Sequence, residues 1–278
     1  MRFINPKTDI AFKKIFGSEQ SKDILISFLN SMLYNGKPII EDLEILHPYL
    51  TPRIRGVKET YLDIQAKITG NKTVIVEMQV LNVEGFEKRI LYNAAKSYSL
   101  QLQAGEDYKL NPVIALTLVD FQMFGDSESV ISRFVLKEKD YLVDYLSEEL
   151  ELVFVELPKF TKELEQLETL TDKWLYFMKS GWTLQTVPET MSAVPEIEQA
   201  FALANQANLN REELEELEHQ EFFIYDHRNA ILKGVSTAVN AQVREIAKRL
   251  LNLLDEEAIA QTTGLSLEEV QKLKQQQK

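Results

Sequence analysis

Two carboxylates and one amide lie within a pair of apolar, β-type segments. The first segment, YLDIQAKI, contains Asp63, and the second, TVIVEMQV, contains Glu77 and Gln79. Alternation of apolar and polar residues predicts a strand in each, and the Gly70-Asn71 pair between them predicts a tight turn. A carboxylate inside VIVEMQV is unusual, because burying an unpaired charge is costly. A divalent cation held by oxygen ligands would supply the missing opposite charge.

The register of this hairpin decides whether the two acids meet. A two-residue loop at Gly70-Asn71 would point the carboxylates to opposite faces of the strand pair, because side chains alternate with a period of two. A three-residue loop over 70–72 would pair Gln65 with Glu77 and bring both acids to one face. A shared cation therefore requires the longer loop or a bulge.

Basic and aromatic side chains near the hairpin provide partners for these acids. Arg89, Tyr92 and Lys96 fall on one stripe of the helix predicted after the hairpin, where they could line a path for phosphates. For Lys96 an ordinary solvated helix face is the favoured alternative. Alternation places Lys67 on the face of Asp63, where it is either a phosphate-binding cation or a solvated lysine at the strand end. For Asp63 and Glu77 the alternative to a metal site is a structural ion pair with Lys67 or Arg89.

Three stretches together carry a resemblance to a known family: NPKTDIAFKKIFG, LDIQAKITGNKTVIVEMQV and RILYNAAKSYSLQLQAGEDY. Over roughly residues 3–160 the chain resembles the recombination-promoting nuclease / putative transposase family, a branch of the PD-(D/E)XK nuclease superfamily. The matching positions include Arg89, Tyr92 and Gln101. Asp9 belongs to the D-x-x-F-K element, where it is either a third acid of the site or a carboxylate at a helix start, stabilised by the helix dipole.

The resemblance implies a metal-dependent DNA endonuclease acting in DNA mobilisation, recombination or defence. In that family Mg²⁺, for which Mn²⁺ can substitute, is bound by the residues that correspond to Asp63 and Glu77. The third motif residue, here Gln79, positions the attacking water. Lysine is usual at that position in the superfamily, and an amide cannot supply its positive charge. A catalytically inactive nuclease-like module that binds DNA or protein is therefore the alternative function.

The order of predicted elements is ααβββαβββ followed by helices, which indicates an α/β (α+β) fold. We expect a restriction-endonuclease-like mixed sheet flanked by helices, with a helical C-terminal region. The β signal disappears beyond Pro158, and a helix, a tight turn at Gly264 and a second helix resemble a helix-turn-helix. A small packed helical hairpin is the favoured alternative, because Glu268 and Glu269 at the start of the second helix oppose DNA docking. The predicted domains are a nuclease-like domain over 1–160, an acidic helical region over 161–228 and a C-terminal helical region over 229–278.

Composition narrows the function classes. The chain has 278 residues, no cysteine and three histidines without ligand spacing, which excludes thiol chemistry and argues against zinc. The net charge of −12 is concentrated in the second half, since residues 1–109 carry 15 basic and 13 acidic side chains. No apolar run approaches the length of a membrane span, so we expect a cytoplasmic protein without a membrane partner. Besides DNA, a second copy of the chain is a candidate partner.

Overall fold

A mixed six-stranded sheet forms the centre of the computed structural model. Its strand order is β1-β4-β5-β6-β8-β7, with β5, β6 and β8 parallel and the remaining neighbours antiparallel. The described residues are 2–50, 60–102, 105, 107–146 and 148–276. The strands are β1 (Leu43–Leu46), β2 (Tyr49–Leu50), β3 (Thr60–Tyr61), β4 (Ile64–Ile68), β5 (Thr73–Gln79), β6 (Val113–Val119), β7 (Ile131–Val135) and β8 (Leu150–Glu156), of which β2 and β3 form a separate ribbon.

Helices cover both faces of this sheet. One helix, α3, connects the parallel strands β5 and β6, as a parallel crossover requires. The helices are α1 (Asp9–Phe16), α2 (Lys22–Tyr34), α3 (Phe86–Ser99), α4 (Leu170–Ser180), α5 (Glu189–Ser192), α6 (Pro195–Leu203), α7 (Arg211–Leu250), α8 (Glu256–Thr263) and α9 (Leu267–Gln276). None of the helices in the described part of the chain is long and apolar enough to cross a membrane.

Two apolar cores lie on opposite faces of the sheet. The larger core joins Val74 and Val76 of β5 to residues of α1, α2, α4 and α6, including Phe28 and Trp174. The smaller core joins Ile75 to α3 and to neighbouring strands. Strand β6 lies between them and is buried along its whole length, as expected for a strand with parallel neighbours on both sides. The predicted fold class is confirmed, but the element order was incomplete: among the described residues five strands precede α3 instead of three, because β2 was not predicted and the predicted strand over 61–68 is divided into β3 and β4.

The hairpin register differs from both predicted versions. Strand β4 pairs with β5 so that Gln65 lies opposite Ile75, and the three-residue loop runs from Thr69 to Asn71. The predicted pairing of Gln65 with Glu77 was therefore wrong, because the loop begins one residue earlier than expected. Extending the observed register by one residue places Asp63 opposite Glu77.

The regular alternation of β4 ends at Asp63. Ile64 belongs to the larger core, whereas Leu62, which alternation would place on the same face, packs with α3 in the smaller core. The ladder with β5 also begins only at Ile64. The backbone thus changes direction at Asp63, so its position depends on this break as well as on strand register.

The chain divides into two compact units after Glu221. Helices α4 and α6 belong to the first unit and complete its larger core, so the predicted boundary near residue 160 lies inside that unit. The predicted boundary at 228 lies within the continuous helix α7. The second unit has a small core of its own, with Ala247, Ile259, Val270 and Leu273, and a turn at Gly264, whose φ of 75° places it in the left-handed region.

A buried ion pair anchors the end of β8. One oxygen of Glu156 accepts hydrogen bonds from the backbone N–H groups of Met123 and Phe124, and the other lies 2.6 Å from Lys159 Nζ. We predict that Glu156→Ala lowers the free energy of unfolding by about 3 to 5 kcal/mol, because it leaves a buried cation uncompensated. Denaturant unfolding measures this. Glu148→Ala, which removes an exposed carboxylate, should change stability by less than about 0.5 kcal/mol, and equal effects of the two variants would contradict the assignment.

Candidate active site

Glu77 lies in the middle of the sheet and points to the face covered by α3. It pairs with Thr117 of β6, and its side chain is buried. Asn93 Nδ2 of α3 donates a hydrogen bond to Glu77 Oε1 over 2.7 Å. Burial raises the pKa of Glu77, and the neighbouring charge of Asp63 raises it further, whereas the hydrogen bond from Asn93 opposes the shift. The carboxylate is thus fixed in place, but its negative charge is poorly compensated by the groups around it.

Asp63 lies at the start of β4, beside Glu77. One of its carboxylate oxygens accepts a hydrogen bond of 2.8 Å from the backbone N–H of Met78. Burial raises the pKa of Asp63 to about 6, and the negative charge of Asp9 adds to the shift. The Met78 N–H and the positive charges of Lys13 and Arg89 oppose it. Strand β4 begins at the end of the sheet where β5 ends, so the structure brings Asp63 and Glu77 together, as the sequence allowed only with a loop longer than two residues.

Gln79 and Arg89 form a bonded pair next to these acids. Arg89 donates a hydrogen bond of 2.6 Å to Gln79 Oε1, and Gln79 Nε2 donates one of 2.7 Å to the Leu81 carbonyl. The guanidinium lies within electrostatic range of both Asp63 and Glu77 and lowers the pKa of each. Arg89 is therefore a cation close to the acid pair, and its hydrogen bond to Gln79 Oε1 fixes the guanidinium group.

Tyr92 and Lys96 continue from Arg89 along α3. Tyr92 is partly exposed, and Lys96 Nζ lies 5.9 Å from the centre of its ring, a cation–π distance. Lys96 is buried, so the favoured expectation of a solvated helix face was wrong for this residue. The amphipathic side chain packs its methylene stem against the protein and turns its ammonium group to the tyrosine ring.

The structure separates Lys67 and Gln101 from the acid pair. Lys67 is exposed and pairs with Thr73, four residues before Glu77, which corresponds to about 13 Å along a strand. Gln101 exchanges two hydrogen bonds, of 2.7 and 2.8 Å, with the backbone of Asn111 and so fastens the end of α3 to the start of β6. These contacts favour an exposed strand end for Lys67 and a structural clamp for Gln101.

Asp9 stands at the border of the site. It occupies the first turn of α1 and forms an ion pair of 2.7 Å with Lys13, one turn later. It still acts on Asp63 through its charge. Both sequence interpretations thus retain support, since Asp9 is a helix-start carboxylate and also contributes negative charge to the site.

The sequence reasoning missed Asn93. This residue is almost completely buried and holds Glu77, yet it lies within the unremarkable run RILYNAAKS. Its position four residues after Arg89 places it one turn further along α3. Ile90 and Ala94 mark the buried face of this helix, and Asn93 interrupts that face with a polar group. The sequence signal that could have identified Asn93 is its place as a polar residue on an otherwise apolar helix face.

The raised pKa of Asp63 predicts a pH-dependent stability. The unfolded chain releases this proton near pH 4 and the folded state near pH 6, so the folded protein loses stability as the pH rises through that window. The loss from Asp63 amounts to about 3 kcal/mol. We predict that Asp63→Asn, measured by denaturant unfolding in EDTA, removes about this much of the loss between pH 4 and pH 7.

The exposed carboxylate of Asp126 provides a matched control. Asp126→Asn should leave the pH profile of stability parallel to that of the wild type. If Asp63→Asn also gave a parallel profile, Asp63 would titrate at the same pH in both states, and the desolvated site would be refuted.

Comparison with known proteins identifies the family of the chain. A family model described as PD-(D/E)XK nuclease family transposase matches residues 6–234, a range that includes all the candidate site residues. No curated protein and no solved structure matches the chain. The family match indicates a nuclease-type function, and the PD-(D/E)XK nuclease superfamily suggests a hydrolase acting on phosphodiester bonds. With most of its length covered by that model, the chain belongs to the PD-(D/E)XK nuclease family transposases.

Proposed function

We propose that this protein is a metal-dependent DNA endonuclease, with Asp63 and Glu77 binding Mg²⁺ or Mn²⁺. The observation that carries the proposal is a pair of desolvated carboxylates where β4 begins and β5 ends: burial raises the pKa of both, and the charge of Asp63 raises the pKa of Glu77 further. Two adjacent anions in a poorly hydrated site repel each other, and a divalent cation would relieve that repulsion.

The donor set fits magnesium better than a closed structural metal site. Among the described residues, no three His, Cys, Asp or Glu side chains are grouped so that they could hold a metal ion. Mg²⁺ does not need such a group, because it commonly binds through one or two carboxylates and completes its coordination with water and substrate phosphate. Asp63 and Glu77 supply those two carboxylates. A cation bound there would lower the pKa of a water and neutralise charge that develops on a phosphate.

The chain itself supplies a further positive charge through Arg89. Gln79 was expected to position the attacking water, but its amide already donates to Leu81 and accepts from Arg89. These bonds favour a different role, in which Gln79 holds the guanidinium beside the two acids. Arginine is suited to binding phosphate because its planar group presents several donors. Arg89 would thus provide the charge that lysine provides elsewhere in the superfamily.

DNA is the substrate that these groups favour. Arg89 and Tyr92 are exposed on α3, whereas Lys96 is buried with its Nζ 5.9 Å from the centre of the Tyr92 ring. Phosphate contacts from Arg89 and Tyr92 would hold the backbone of DNA in register with the acid pair without reading sequence. A role in DNA mobilisation, recombination or defence is consistent with this chemistry.

The rival function is an inactive nuclease-like module that binds DNA or protein. The hydrogen bond between Arg89 and Gln79 is the observation that favours it, because a guanidinium engaged by an amide has fewer donors for phosphate. In that case the acid pair would bind no cation and would only destabilise the folded state, so replacing the acids would raise the free energy of unfolding.

Plasmid cleavage distinguishes the two functions. Purified wild-type protein should nick or linearise plasmid DNA with Mg²⁺ and not with EDTA. Glu77→Gln preserves the shape and polarity of the side chain but removes its charge, so cleavage should disappear while circular dichroism remains unchanged. Glu87→Ala, an exposed acid on the same helix as Arg89, serves as the control and should cleave normally. Absence of cleavage by the wild type, or cleavage that survives Glu77→Gln, would contradict the proposal.

The bonded pair of Gln79 and Arg89 predicts non-additive kinetics. Arg89→Ala and Gln79→Ala should each lower the cleavage rate by about 100-fold, since the first removes the positive charge and the second removes the amide that holds the guanidinium in place. The double variant should lose no more than the larger single loss, because the two residues act as one unit. Lys88→Ala removes a neighbouring exposed cation and should have little effect. If the fold-losses in cleavage rate of the two single variants multiplied in the double variant, the two residues would act independently, which would contradict the proposed pair.

A further inference from the structure

Asn93 is a buried amide that satisfies only one of its two polar ends. Its side chain is 2% exposed, and Nδ2 donates to Glu77 Oε1 over 2.7 Å. The carbonyl oxygen Oδ1 is buried, and the described residues give it no hydrogen-bond partner. Such orphaned oxygens are rare in folded proteins and weaken stability.

Another buried asparagine of this chain shows what a structural role requires. Asn30 donates from Nδ2 to the Ile40 carbonyl, and its Oδ1 accepts from the backbone N–H groups of Ile39 and Ile40. Both polar ends of that side chain are used, and the loop after α2 is held by it. The side chain of Asn93 has no comparable hydrogen bonds to the backbone among the described residues. A role in holding the backbone therefore does not explain why an asparagine is buried here.

The single bond of Asn93 leads directly to the acid pair. It fixes one oxygen of Glu77 and leaves the other oxygen of that carboxylate for a ligand. A leucine of similar size would avoid the orphaned oxygen and would fit the apolar face formed by Ile90 and Ala94. The amide is therefore explained by what it does for Glu77.

We propose that Asn93 is a positioning residue for the cation site: its Nδ2 orients the Glu77 carboxylate, and its Oδ1 accepts a hydrogen bond from water that enters with the cation. This inference rests on the proposed function, since it assumes that Glu77 binds a cation. Residues that orient metal ligands in this way typically change metal affinity by 10 to 100-fold when they are replaced.

The test is a titration with Mn²⁺ alone, without DNA, by isothermal calorimetry. Asn93→Leu should bind Mn²⁺ at least about tenfold more weakly than the wild type. Asn93→Leu should keep the circular dichroism of the wild type in EDTA, whereas its melting temperature combines two opposing changes, the removal of the orphaned oxygen and the loss of the hydrogen bond to Glu77 Oε1. Asn93→Ala, which cannot overpack the helix face, should show the same weaker binding.

Ser97→Ala is the matched control. Ser97 lies one turn along the same face of α3 and bonds to Gln65 at 3.3 Å, away from the acids. This variant should bind Mn²⁺ as the wild type does. A lower melting temperature for Asn93→Leu with unchanged Mn²⁺ affinity would show a structural role and overturn the inference.

Glu77→Gln separates failure of the inference from failure of the proposed function. If Glu77→Gln binds Mn²⁺ as tightly as the wild type, the cation site and the inference both fall. If Glu77→Gln loses binding while both Asn93 variants keep it, the cation site stands and the inference about Asn93 alone is overturned.

Discussion

The repulsion between two desolvated carboxylates, Asp63 and Glu77, is the constraint on which the site depends. Each acid is held by one hydrogen bond, from Met78 N–H and from Asn93 Nδ2, and neither bond compensates a full negative charge. Nearby positive charge from Arg89 lowers the pKa of both acids, yet burial still prevails and raises them. A fold that keeps such an arrangement at neutral pH gives up stability, and a bound cation would recover it.

The topology explains how these groups meet. Strand β4 begins at the end of the sheet where the parallel strands β5 and β6 terminate. Asp63 therefore lies beside Glu77 and Gln79. The parallel connection from β5 to β6 requires a crossover helix, and α3 therefore returns over the face to which Glu77 points. Its first turns deliver Arg89 and Asn93. The larger core on the other face takes no part in this chemistry and supports the sheet from behind.

The strands of the main sheet, the crossover helix and the unusual position of Glu77 within an apolar strand could be predicted, because apolar alternation and a charge inside an apolar run are local signals. The register could not, since the loop begins at Thr69 and the left-handed residues Gly70 and Asn71 are shared by several turn types. The distance of Lys67 from Glu77 follows from that register. The roles of Asn93 and of the Gln79–Arg89 pair were also hidden, because they depend on which face of α3 meets the sheet.

Anomalous scattering from crystals grown with Mn²⁺ would show directly whether the two acids share a cation. We predict one strong anomalous peak within coordination distance of carboxylate oxygens from both Asp63 and Glu77, and loss of that peak in crystals of Glu77→Gln. An ordered site without a peak at saturating Mn²⁺, or with Asp63 and Glu77 neutralised by protein cations, would contradict it and leave the pair as a structural feature of the fold.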